Sequence, residues 1–171
     1  MPQVLVCPLS LVTATVAASG ASHLVSLIND DTPVVRPRTI DPDKHLFLGI
    51  NDIVEPMDGM ILPALEHVHE LVSFVEGWDR RHPLVVHCFA GISRSTAAAF
   101  IALCAVNPQR DEADLARRMR AASPTATPNS RIVGFGDQLL RRNGRMIAAV
   151  KTMGRGEMAV EAIPFAIPIA D

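Results

Sequence analysis

The sequence predicts an α/β domain: a central, mostly parallel sheet of four to five strands flanked by helices, with extra helices at the C-terminal end. Three observations predict it. Short apolar runs alternate with segments of helical spacing from the N-terminus onward. The fourth run, Pro83–Cys88, is almost continuously apolar, as expected of a strand buried on both faces of a parallel sheet. The chain has 171 residues, 49% of them hydrophobic, which is enough for one core and short for two.

The elements follow in order. Gln3–Cys7 reads as the first strand, and a helix from Ser10 is closed by Gly20. His23–Ile28 is the second strand. The segment Asn29–Asp43 holds three prolines and is too irregular for a regular element. His45–Ile50 is the third strand and runs into a loop with three carboxylates, Asp52, Glu55 and Asp58. Between Ile61 and Trp78, apolar residues recur at Leu62, Leu65, Val68, Leu71, Val72, Val75 and Trp78, which is helical spacing. Ser95–Val106 is a nearly all-apolar helix that must lie deep in the protein. Further helices are expected over about Asp111–Ala122 and from Asn129, a good N-cap, to near Arg142. Residues 1–153 form one domain, and 154–171 read as an extended C-terminal tail.

A formal net charge of -2 predicts no bulk attraction to nucleic acid or to an anionic membrane. Arginines 110, 117, 118, 120, 131, 141, 142 and 145 are expected to form solvated helix faces beside Asp111, Glu112 and Asp114. No apolar run reaches membrane-span length, because Arg94 interrupts the best candidate. No charged region precedes the apolar residues near Met1, so no signal peptide is expected. Cys7, Cys88 and Cys104 lack zinc-like spacing, and reduced thiols in a cytoplasmic protein are the expectation. His67 and His69 stand two apart on a helix, hence on different faces, which argues against a metal site. Cys104 falls in the apolar helix and reads as core.

The chemistry concentrates in "LVVHCFAGISRSTA", Leu84–Ala97. Ligands of open α/β sheets gather at the carboxyl ends of strands, beside helix N-termini, and Cys88 stands there. The loop Phe89, Ala90, Gly91, Ile92 and Ser93 would aim backbone N–H groups inward, and the following helix would add the positive end of its dipole. Such a cradle suits a tetrahedral oxyanion and favours a thiolate at Cys88. Gly91 permits a tight turn and leaves room for a ligand. Arg94 offers a planar fork matched to two phosphate oxygens.

"HCFAGISRST" resembles the His-Cys-x5-Arg-Ser/Thr signature of the cysteine-dependent protein tyrosine phosphatase superfamily, and its form is most similar to the dual-specificity branch. "GINDIVEP" is similar to that branch's strand-to-loop junction carrying the acid, and "ASPTATPNSRIVGFGDQLL" to its later segment, where Pro-Asn opens a helix. The resemblance covers roughly residues 46–140. It implies a dual-specificity-phosphatase-like fold and metal-independent, cofactor-free hydrolysis of a phosphomonoester through a phosphocysteine on Cys88. By the same resemblance Arg94 clamps phosphate, Ser95 stabilises the departing thiolate, and His87 orders the loop. Asp52 matches the general acid best, with Glu55 and Asp58 open as alternatives. Simple helix capping is the plainer role for Ser95, and turn capping for Asp52. Cys7 ends the first strand, which leaves a resolving disulfide with Cys88 open. The loop has no lysine, which disfavours an inositol ring. A phosphorylated protein is the expected substrate; a small phosphomonoester substrate and a non-catalytic phosphoresidue-binding module are the alternatives.

Overall fold

Five runs rich in Val, Leu and Ile pair into one sheet in the computed structural model, which describes residues 1–170. They are β1 (Gln3–Pro8), β2 (His23–Ile28), β3 (His45–Gly49), β4 (Leu84–Cys88) and β5 (Phe165–Pro168), in the spatial order β3-β2-β4-β1-β5. The first four are mutually parallel, and β5 pairs antiparallel with β1. In register, Ser26 of β2 and Cys7 of β1 both stand opposite His87, and Pro8 stands opposite Cys88. The carboxyl ends of β1, β2 and β4 therefore share one edge of the sheet, and β4 delivers its cysteine to the middle of that edge.

Six helices cover the sheet: α1 (Val12–Ser19), α2 (Leu65–Gly77), α3 (Arg94–Val106), α4 (Glu112–Ala122), α5 (Ser130–Leu139) and α6 (Arg145–Met153). The larger core joins one sheet face to α2–α6. A smaller one joins the other face to α1 through Val12, Val16, Leu24 and Val85. Every residue of α3 from Arg94 to Cys104 is buried. Four of them, Ala97, Ala98, Ala99 and Ala102, are small enough to let the sheet and the neighbouring helices close in. Helix α5 approaches α3 at Gly136, where a Cβ would run into Ile101. This packing holds the N-terminus of α3 at the carboxyl end of β4.

The elements end where local chemistry stops them. Gly20 closes α1 in the left-handed conformation (φ 65°). Asn129 caps α5, its Oδ1 accepting from the N–H groups of Arg131 and Ile132 at 3.1 Å. The helix expected from Ile61 starts at Leu65, after Pro63. Ile61 instead bonds back to Asn51, donating to its Oδ1 (2.8 Å) and accepting from its N–H (2.9 Å), which closes the 51–61 loop at its base. Helix α5 stops at Leu139 rather than Arg142, where Arg141 and Asn143 turn to positive φ, and Asp137 accepts from Gly144 and Met146 at the start of the next helix. Residues 154–164 run extended over the carboxyl edge of the sheet before β5 begins.

The C-terminal arginines are not all solvated. Arg142 is buried against Glu112, Nη1 to Oε1 at 2.7 Å, and its Nη2 donates to the carbonyl oxygen of Cys104 at 2.6 Å. Arg145 approaches the other Glu112 oxygen at 3.1 Å. Burial alone would push the Glu112 carboxyl up, but bonds from its own backbone, Arg145 and Arg142 hold it below the ordinary value. Removing one partner leaves a buried charge. Glu112→Ala is expected to destabilise the fold by about 3–5 kcal/mol in urea titration, and Glu112→Leu with Arg142→Met by much less.

Candidate active site

The loop between β4 and α3 is shaped by where its carbonyl oxygens go. Phe89 accepts from the N–H of Leu9, just past β1 (3.0 Å), and Ala90 from Ala162, in the segment before β5 (2.8 Å). Ile92 accepts from Thr127 N–H (2.9 Å) and from Thr96 Oγ1 (2.6 Å). Ser93 accepts from Ala97 and Asn129. Carbonyls drawn outward leave the N–H side of the peptide planes facing in, toward Cys88. Gly91 takes a φ of 73°, and a Cβ there would lie 2.9 Å from the β1 backbone at Cys7 and Pro8. The missing side chain thus makes room for β1 rather than for a ligand.

Cys88 is 2% exposed at the base of this loop. Its Sγ lies 3.1 Å from Ser95 Oγ and 3.3 Å from the Gly91 nitrogen, whose N–H points at it. Ser95 is fully buried, and its hydroxyl faces the sulfur instead of capping α3. Arg94 is buried too, with Nη1 donating to Asn29 Oδ1 (2.9 Å) and to the Ile50 carbonyl (2.7 Å). Its Nε has no partner among the described residues. A buried guanidinium N–H beside such a loop is suited to donate to an anionic oxygen.

Behind the loop, His87 donates from Nδ1 to the Cys88 carbonyl at 3.0 Å, since a carbonyl only accepts. Burial, the largest effect, pushes its pKa down to about 4, so the ring is neutral and Nε2 is an acceptor. Ser26 Oγ, 2.6 Å away, must then donate to it, and accepts in turn from His45 Nε2 at 2.8 Å. A buried hydrogen-bonded chain, His45–Ser26–His87, crosses three strands to fix the cysteine's peptide.

Asp52 arrives from the loop after β3. Its Oδ1 accepts from Ser93 Oγ of the phosphate loop (2.7 Å) and from Asn129 Nδ2 (2.9 Å). Both bonds use one oxygen, which leaves Oδ2 directed elsewhere. Asp52 borders two clefts, which share it with Ser93 and Thr127. One, of about 420 Å³, is walled by Val54, Glu55 and Met57; the other, of about 260 Å³, by residues 155–159. Glu55 is therefore near the site without touching the loop, and Asp58 is exposed farther along. Among the described residues no group of three His, Cys, Asp or Glu is placed to hold a metal ion. No described helix is long and apolar enough to cross a membrane.

A family model for protein-tyrosine phosphatases matches residues 58–129, the span that holds Cys88, the loop and Arg94. Over that span the chain is similar to protein-tyrosine phosphatases. Its fold is similar to that of dual-specificity phosphatases. The structure of DUSP15 is 19% identical, with a TM-score of 0.60, over 90% of this chain and 91% of that one. Human DUSP28 is 17% identical at a TM-score of 0.62, over 81% and 94% of the two chains. PTPMT1, solved in complex with PI(5)P, is 14% identical at 0.61, over 85% and 92%. No curated protein sequence matches the chain.

The structure gathers Cys88, the loop, Arg94, Ser95, His87 and Asp52 at one place. Cys7 packs in the small core beside α1, while Cys88 faces Ser95 of α3. Both thiols are free, and burial pushes that of Cys7 up to about 11, which disfavours its reaction as a thiolate. Sequence reading missed Asn29, Ser26, His45 and the segment before β5. Only Asn129 had a signal, as an N-cap, and it serves as cap and as Asp52 donor together.

His87 yields a stability prediction. Folded, it titrates near 4; unfolded, near the ordinary value of 6.5. Between these the unfolded chain binds a proton that the folded chain does not. The stabilisation is complete above pH 6.5 and falls as pH drops toward 4, by about 3 kcal/mol at most. Urea titrations from pH 7 to 4 read this loss, and its slope should flatten in His87→Asn. Gly91→Ala, clashing with β1, should disorder the loop and reduce aryl phosphate hydrolysis at least ~100-fold while helical circular dichroism persists.

Proposed function

We propose that this protein is a cysteine-based phosphatase that hydrolyses phosphotyrosine, or both phosphotyrosine and phosphoserine/threonine, on proteins, through a phosphocysteine on Cys88 and without a metal. The supporting observation is the Cys88 sulfur, set between Ser95 Oγ and the Gly91 N–H at the floor of an amide cradle with a partnerless Arg94 Nε.

In this reading the Cys88 thiolate attacks phosphorus in line with the ester oxygen. The S–P bond forms as the P–O bond breaks, and Asp52, protonated, gives its proton to the leaving oxygen. The equatorial oxygens stay charged throughout, held by loop amides and Arg94. Water then attacks the phosphocysteine, Asp52 takes its proton, and the S–P bond breaks to return the thiolate. Ser95 donates to that sulfur as it departs. His87, held by Ser26 and His45, keeps the cysteine's peptide in place. Asp52 is preferred over Glu55 and Asp58 because it alone of the three bonds to the phosphate loop. The chemistry needs a reduced thiol, which fits a cytoplasmic location.

The test is hydrolysis of p-nitrophenyl phosphate in EDTA. Cys88→Ser is expected to fall below detection, and Ser95→Ala to accumulate phosphoenzyme after an initial burst. Asp52→Asn should lower kcat by ~10²-fold or more and remove the alkaline limb of the pH profile. Full activity of Cys88→Ser would refute the reading; loss of that limb in Glu55→Gln instead would move the acid.

A further inference from the structure

Exposed hydrophobicity is unevenly spread over this molecule. Of the thirteen large hydrophobic residues that are exposed among the described ones, eight fall in three segments around the phosphate loop. Val54 and Met57 stand on the Asp52 loop, Phe89 on the phosphate loop, and Met158, Val160 and Ile163 on the strap 154–164. Met158, Val160 and Ile163 are 81%, 96% and 86% exposed. A cluster of this kind marks an interaction surface.

The strap that carries three of the eight is fastened at the backbone. Arg120 Nη2 donates to the Gly154 carbonyl (2.9 Å), Gly156 N–H to Thr127 Oγ1 (3.0 Å), and Glu157 N–H to the Pro124 carbonyl (2.9 Å). Gly156 packs so closely on Thr125 that a Cβ would lie 2.6 Å from its carbonyl. Ala162 then bonds Ala90 of the phosphate loop, and β5 anchors the end. Apolar side chains on a tied backbone need little further ordering to bind a partner.

Two features select the partner. The two clefts meet at Asp52, Ser93 and Thr127, one running toward the acid loop and the other toward the strap, so a ligand seated beside Asp52 has a groove on either side. A polypeptide extends so; a lipid headgroup leaves in one direction. The charges on the two bordering segments are Asp52, Glu55, Asp58, Glu157 and Glu161 against Arg155 alone. Such a rim repels an anionic membrane and acidic sequences, and favours a cation. We infer that strap and acid loop form a docking rim for a phosphorylated polypeptide whose residues flanking the phosphoresidue are apolar, with basic residues beyond. The inference rests on the phosphatase reading above and assigns its substrate class.

The experiment compares kcat/KM of the full chain on three probes. One is a phosphotyrosine peptide with Leu and Val flanks and outer lysines, one the same peptide with glutamate flanks, and one p-nitrophenyl phosphate. The first is expected to exceed the second at least tenfold. In Met158→Ser/Val160→Ser/Ile163→Ser, the ratio of apolar-peptide to aryl phosphate kcat/KM should drop roughly tenfold. Glu157→Lys should narrow the gap between the two peptides. Equal rates on both peptides, or an unchanged ratio in the triple variant, would overturn the docking rim while leaving the phosphatase intact. Faster turnover of phosphatidylinositol 5-phosphate in phosphatidylcholine vesicles than of either peptide would overturn it in favour of a lipid surface. No turnover of the aryl phosphate by the unmodified chain would remove the phosphatase reading itself, and the rim with it.

Discussion

Four of the five carbonyl oxygens in the loop between β4 and α3, those of Phe89, Ala90, Ile92 and Ser93, are held by donors outside the loop, and the rest of the site depends on that. The donors come from three distant parts of the chain: Leu9 after β1, Thr127 and Asn129 between α4 and α5, and Ala162 before β5. A five-residue loop left alone would satisfy its amides with water and present no fixed charge pattern. Tied from outside, it becomes a preorganised electropositive cup, and such preorganisation is worth most where water is excluded. The one glycine with positive φ in the loop serves this bracing, because it lets the loop backbone rest on β1.

The same logic governs the charges. Arg94 can be buried because Asn29 and the Ile50 carbonyl, at the ends of β2 and β3, take up one of its nitrogens and orient the fork. Asp52 reaches the loop because Asn129 and Ser93 both donate to a single oxygen, and because Asn51 closes the base of its own loop on Ile61. The neutral His87 lies on the opposite face from α3, where Ser26 and His45 supply the polar partners that an apolar face would lack. Four strands end together at one edge, so supports from residues 26, 29, 50 and 52 converge on a single cysteine.

Much of this was legible because it is local. Strand and helix runs announced themselves by spacing, and the loop between Cys88 and Arg94 is one continuous stretch whose residue types define its chemistry. What escaped reading is non-local. Arg142 looked like one more surface arginine because its partner, Glu112, stands thirty residues earlier. Ser26 and His45 read as ordinary strand residues, since nothing in the chain near them names His87 as their partner. Gly91 was read as space for a ligand, whereas the β1 backbone fills that space. The residues after Met153 carry few periodic signals, and only the unpaired edge of β1 gives them a place as a strand.

That last segment has a consequence for how the protein is made. A ribosome releases the cysteine, the arginine and both flanking strands well before residues 154–168 emerge. Until then β1 has an open outer edge, and the Ala90 carbonyl lacks its donor. A nascent chain that has not yet extended past residue 161 therefore lacks one edge strand and one of the braces that hold the loop beside Cys88.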